Sequence, residues 1–115
     1  MTGYVIDYLE FPSPKTAPTR EFFRKAFGWS FVSYGEGYDE IREAGLLAGI
    51  NAHADDHSAA TIAVIRTDNI KEAERAVIAA GGTITRKTYN YPGGLRFFFR
   101  EPGGVELAIY QPNEG

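Results

Sequence analysis

The chain contains only two histidines, His53 and His57, and with Asp55 and Asp56 they form its one dense group of nitrogen and oxygen donors. Imidazoles and carboxylates at such short spacing are what a divalent cation would take as ligands. Catalytic metal ligands also need neighbours that fix their orientation, and a polar stretch without hydrophobic periodicity supplies none. Residues 52–60 are therefore read as a linker whose metal chemistry is adventitious. A second set is dispersed in sequence but shares a role. Tyr8, Glu10, Arg66, Phe98, Glu106 and Tyr110 combine aromatic surface with both signs of charge, which suits recognition of a small amphipathic molecule. A plainer reading stands beside it, in which Glu10 and Arg66 pair across neighbouring strands and the tyrosines fill space. Glu10 or Tyr8 can also serve as a proton-transfer group. No nucleophile-and-base pattern, phosphate loop or dinucleotide fingerprint is present, because Gly93-Gly94 and Gly103-Gly104 sit in turns.

These residues must be carried by strands. Residues 4–11 are rich in Val, Ile, Tyr, Leu and Phe and end at Pro12-Ser13-Pro14, the mark of a strand closed by prolines. A helix follows, capped by Thr16, with Phe22, Phe23, Ala26 and Phe27 as its apolar face and Gly28 as its stop. Strands are expected at 29–34, 38–43 and 46–51. After the linker the order repeats. Residues 61–67 form a strand, and Asp68 or Asn69 caps a helix that presents Ile70, Ala73, Val77 and Ala80 on one face before Gly81-Gly82. Strands at 83–88, 95–100 and 105–110 complete the second half. Tyr89, Asn90 and Tyr91 fall in a loop that could act as a lid.

The expected architecture is α+β. One domain of 115 residues holds two βαβββ modules, 3–51 and 61–111, joined by the linker 52–60 and curled into a partly closed, barrel-like hollow of mixed sheet with the helices outside. Period-two alternation turns Ile6, Tyr8 and Glu10 inward, with Val5, Leu9 and Phe11 toward the helices. Likewise Ile62, Val64, Arg66, Glu106, Ala108 and Tyr110 point inward, and Val105, Leu107 and Ile109 outward. Phe97 and Phe99 are assigned to the core. Phe98, Trp29 and Phe31 are pocket candidates.

Composition narrows the function classes. A net charge of -3 without a basic cluster argues against nucleic acid, and no apolar run approaches membrane-spanning length. The absence of cysteine removes disulfides, thiolate chemistry and cysteine-ligated zinc. Residues 1–3 lead straight into the first strand with no basic and apolar leader, so a soluble, cytoplasmic protein is expected.

The order of Asp7-Tyr8-Leu9-Glu10-Phe11-Pro12, Phe22-Phe23-Arg24-Lys25-Ala26-Phe27-Gly28-Trp29, Ala79-Ala80-Gly81-Gly82-Thr83-Ile84 and Phe99-Arg100-Glu101-Pro102-Gly103-Gly104 resembles the vicinal oxygen chelate superfamily. This superfamily includes glyoxalase I, extradiol dioxygenases and bleomycin- and fosfomycin-resistance proteins. The resemblance implies a divalent ion held from four strand positions, which fall here at Tyr8, Ala48 or Gly49, Ile62 and Ala108. Aliphatic side chains offer no lone pair and a neutral tyrosine is a poor ligand, so no metal and no other cofactor is expected. Glu10 and Glu106 keep the facing of the first and last positions and stand as alternative ligands. The resemblance further implies a small-molecule ligand and a homodimer. Its enzymatic alternative is a lyase or isomerase of the glyoxalase type, with noncanonical metal ligation or metal-free acid-base catalysis.

Overall fold

The computed structural model describes residues 3–53 and 59–113. Its elements run β1 (Val5–Pro12), α1 (Thr16–Phe27), β2 (Ser30–Ser33), β3 (Tyr38–Arg42), β4 (Leu47–Asn51), β5 (Ile62–Arg66), α2 (Ile70–Ala79), β6 (Thr83–Tyr91), β7 (Gly94–Arg100) and β8 (Glu106–Pro112). The fold is α+β, with strand, helix and three strands occurring twice. The chain separates into two compact units. One is Tyr8–Ile62; the other joins Met1–Asp7 to Ala63–Gly115, so β1 is divided between them.

In the first unit the strand order is β2-β3-β4-β1. Strands β1 and β4 run parallel with Glu10 opposite Gly49, and β3 is antiparallel to both β2 and β4. Ile41, Ala48 and Ile50 form the buried core under α1, joined by Leu9, Phe11, Phe23, Trp29 and Phe31. The expected face of α1 is only partly used: Phe23 packs inward, whereas Phe22 and Phe27 remain 62% and 57% exposed. The inward stripe is instead Thr16, Arg20 and Phe23, because Arg20 reaches from the helix to the fully buried carboxylate of Asp39 at 2.8 Å. Rotating the helix to bury Phe22 would break that ion pair, and an unpaired buried carboxylate is costly. Thr16 is the first helical residue rather than the cap. The N-cap position is Lys15, which makes no side-chain cap bond, and the Ser13 hydroxyl organises the turn by accepting from the Lys15 N–H. Gly28 does end the helix, in the left-handed conformation that glycine adopts without strain. Trp29 and Phe31 are core residues, the indole 5.2 Å from the Phe23 ring, which removes them as pocket candidates.

The second unit has the order β5-β8-β7-β6, with β5 and β8 parallel and the remaining pairs antiparallel. Helix α2 covers a core of Ile70, Ala73, Phe97, Phe99 and Ile109, flanked by Ile65, Val77, Ile84, Leu95 and Leu107. Its start is doubly capped. Asn69 Oδ1 accepts from the Glu72 N–H at 3.1 Å, and Gln111 Oε1 accepts from the Ile70 N–H at 2.8 Å. Val105 precedes β8 and is 59% exposed, so it does not join Leu107 and Ile109 against the helix. Tyr89, Asn90 and Tyr91 belong neither to a loop nor to a lid. They extend β6 and pair with Arg96, Leu95 and Gly94. The linker residues Asp55, Asp56 and His57 lie outside the described residues. His53 is described and exposed, its N–H donating to Asn51 Oδ1 at 2.9 Å.

Candidate functional site

Tyr8 and Glu10 belong to the first unit; Arg66, Phe98, Glu106 and Tyr110 belong to the second. All six lie on strand faces away from the helices.

In the first unit, alternation along β1 sends Leu9 and Phe11 to the core under α1 and Tyr8 and Glu10 to the opposite face. There the Tyr8 hydroxyl meets that of Tyr38 from β3 in a short hydrogen bond. Gly49, between them on β4, makes this possible, since a Cβ at that position would collide with both hydroxyls. Of the two candidates for the second ligand position, Gly49 therefore shares the face of Tyr8, while Ala48 is buried in the core. Glu10 is 2% exposed and accepts from Asn51 Nδ2 at 3.3 Å; Asn51 itself is fully buried. A carboxylate this deep must be hydrogen-bonded to persist. Tyr38 and Asn51 were not among the expected residues, because their approach depends on the β3–β4 register that sets Tyr38 opposite Asn51.

In the second unit the register aligns a row across four strands. Arg66 on β5 is opposite Tyr110 on β8, Tyr110 opposite Arg96 on β7, and Arg96 opposite Tyr89 on β6. Arg96 is 4% exposed, and its Nε donates to the Tyr89 hydroxyl at 2.8 Å. Its guanidinium lies 4.9 Å from the Tyr91 ring and 5.0 Å from the Phe98 ring, within cation–π range of both. Arg86 stacks over Tyr89 at 3.9 Å. Two register shifts in β6, between Ile84 and Arg86 and between Arg86 and Tyr89, explain how these residues come to share one face. Ile84 packs toward α2, and each irregularity re-aims the side chains that follow. Arg96 was legible in principle as the residue two before Phe98; Arg86, Tyr89 and Tyr91 were not.

Tyr110 donates to the Asp7 carboxylate at 3.0 and 3.1 Å. Burial, then this hydrogen bond and the nearby charge of Asp7, push the phenol well above its ordinary pKa, so it stays protonated. This corrects the expectation for the start of β1: Ile6 is 65% exposed, and Asp7 is the residue that faces the second unit's polar wall. Glu106 accepts from the Thr85 hydroxyl at 2.7 Å.

The donors do not fit the divalent ion of the metal-dependent relatives. The four positions hold Tyr8, Gly49, Ile62 and Ala108, and the described residues contain no group of three or more His, Cys, Asp or Glu that could hold a metal.

A family model described as the Glyoxalase/Bleomycin resistance protein/Dioxygenase superfamily matches residues 5–109. Among solved structures, one described as an NAD-dependent benzaldehyde dehydrogenase from Legionella pneumophila superposes with a TM-score of 0.78 at 14% identity, covering 93% of this chain and 99% of that chain. A methylmalonyl-CoA epimerase gives a TM-score of 0.70 at 15% identity, covering 99% of each chain. A glyoxalase/bleomycin resistance protein/dioxygenase superfamily member from Vibrio splendidus 12B01 gives 0.65 at 11% identity, covering 92% of this chain and 97% of that one. No curated protein matches the sequence. At such identities the structural likeness speaks to the fold alone.

Proposed function

The chain belongs to the glyoxalase/bleomycin resistance protein/dioxygenase superfamily, and we propose that it is a metal-free member that binds a small amphipathic molecule on the helix-free faces of its strands. One observation carries this reading. The second ligand position is glycine, and the space a metal-binding side chain would need is taken by the hydroxyls of Tyr8 and Tyr38. A Glu or His at residue 49 would have to evict both phenols. The accessible parts of these faces are amphipathic, with Tyr8 in one unit and Tyr110 in the other supplying rings and Arg66 and Glu106 supplying charge, while Glu10 and Phe98 are buried. Sequestration or carriage, as in the resistance-type members, needs only such a surface. A cytoplasmic homodimer is part of the proposal; among the described residues no helix is long and apolar enough to cross a membrane.

Native mass spectrometry of protein purified from its own cells, with metal analysis after dialysis, tests the reading. The expected result is a dimer carrying a small organic molecule and less than a tenth of an equivalent of zinc, nickel, manganese or iron. A stoichiometric divalent ion surviving dialysis would overturn it.

A second reading is metal-free acid-base catalysis by Glu10, favoured by the depth of that carboxylate and its hydrogen bond from Asn51. Under it, Glu10→Gln abolishes turnover of whatever compound copurifies; under the binding reading the compound is recovered unchanged by the unmodified protein.

A further inference from the structure

The two units share one plan, so positions can be matched between them. A left-handed glycine ends each helix, Gly28 and Gly81, and a strand begins two residues later, at Ser30 and at Thr83. The strand before each helix also closes alike: the Ser13 N–H donates to the Asn51 carbonyl, and the Thr67 N–H to that of Tyr110. Counted from these marks, Phe11 matches Ile65, Phe23 matches Ala76, Phe27 matches Ala80 and Trp29 matches Gly82. Arg20 and Ala73, each turned toward its sheet, match on the same count.

In the first unit all four positions carry rings, and the rings touch. Phe23 lies 5.7 Å from Phe11 and 5.2 Å from Trp29, and Phe27 lies 5.1 Å from Trp29. In the second unit none of the four is aromatic, and all four line a cavity of about 270 Å³ between α2 and its sheet. Its inner side is made by the buried Ala73, Phe99 and Ile109, and its rim by the exposed Tyr4 and Pro102. The chain cannot supply the missing ring from residue 82, because a Cβ there would stand 2.6 Å from Val77 Cγ1. An apolar cavity of about 150 Å³ already admits benzene. Glu101 brings the one charged side chain among the described lining residues. Its Oε1 accepts from the Val105 N–H at 2.8 Å, so it stands at the cavity as an ionised carboxylate and turns anions away.

The structure assigns this cavity to a small uncharged aromatic molecule, whose ring takes the place that phenylalanine and tryptophan rings hold in the first unit. Removal of apolar surface from water drives its entry, and the Phe99 and Tyr4 rings offer it aromatic contact. A charged substituent would give up its hydration there without gaining a partner. The site lies on the helix side of the strands, so it stands independently of the binding reading above, which concerns their other side.

The test is a titration of the full-length chain with toluene, benzoate and methylcyclohexane, followed by the methyl resonances in carbon–proton NMR spectra. Toluene is expected to give saturable shifts centred on Ile65, Ala73, Ala76, Val77 and Ala80, and to bind at least tenfold tighter than benzoate and more tightly than methylcyclohexane. Ala76→Phe restores the first unit's residue at an exposed helical position, and it should abolish toluene binding without lowering the melting temperature. Ala80→Leu should weaken toluene at least tenfold, and it carries the expectation alone if Ala76→Phe does not fold. No saturable shift, equal affinity for benzoate or methylcyclohexane, or binding that survives both substitutions would each overturn the assignment. So would self-association of the chain that Ala76→Phe abolishes in the absence of toluene binding, since the cavity would then take a side chain of a second copy. Shifts confined to the surroundings of Tyr8 or Tyr110 would sink this site while sustaining the binding reading.

Discussion

At the scale of single residues, Gly49 and Tyr110 govern the two polar faces. Adding a methyl group at residue 49 forces the Tyr8 and Tyr38 hydroxyls apart, so Gly49→Ala should destabilise the protein by about 1–3 kcal/mol. Urea denaturation measures this, and the cost should fall in a Tyr38→Leu background, where one of the two colliding hydroxyls is gone. Tyr110 gives a pH signature. Its phenol pKa is raised on folding, mainly by burial and then by the bond to Asp7, so the folded state holds this proton more tightly than the unfolded state does. The resulting stabilisation is fully present at neutral pH and is lost as pH rises above about 10, the ordinary tyrosine value. Tyr110→Phe should therefore lower stability at pH 7 and flatten its decline between pH 10 and pH 11.5, as followed by circular dichroism. Individual residues were legible where alternation alone decides their facing, as at Tyr8, Glu10 and Phe98. They were not where a contact needs the register of a distant strand, as with Tyr38, Asn51 and the Asp7–Tyr110 pair, 103 residues apart.

At the scale of elements, the strands and helices follow from local chemistry, and the errors have local causes. Asn69 was readable as a cap because Asn before an amphipathic run accepts from the first-turn N–H groups. Asn69→Ala should cost about 1 kcal/mol in urea denaturation, since Glu72 N–H loses its acceptor while Ile70 N–H keeps Gln111. Helix α1 misled because phenylalanines outnumber its other apolar residues, yet an ion pair, Arg20 with Asp39, sets its rotation. Strand β6 misled because its two register shifts break the period of two that assigns residues to faces. Those shifts turn Arg86, Tyr89 and Tyr91 toward Arg96, so the irregular strand contributes most of the cationic and aromatic wall.

At the scale of the whole molecule, the repeated order of elements was the legible feature, because turns, caps and prolines punctuate it twice in the same way. The division of β1 was not. Val5 to Asp7 belong with the C-terminal unit and Tyr8 to Pro12 with the other, although nothing in the run of residues marks a boundary there. That division has a consequence for how the protein comes into being. During synthesis the ribosome releases Asp7 103 residues before Tyr110, so one strand stays half-committed through most of that interval. Its later half can settle against β4 once Asn51 has emerged, whereas its earlier half waits for a partner that does not yet exist. That wait lasts several seconds at about 5–20 residues per second, an interval in which a chaperone, or a neighbouring nascent chain, has its best opportunity to engage the half-paired strand.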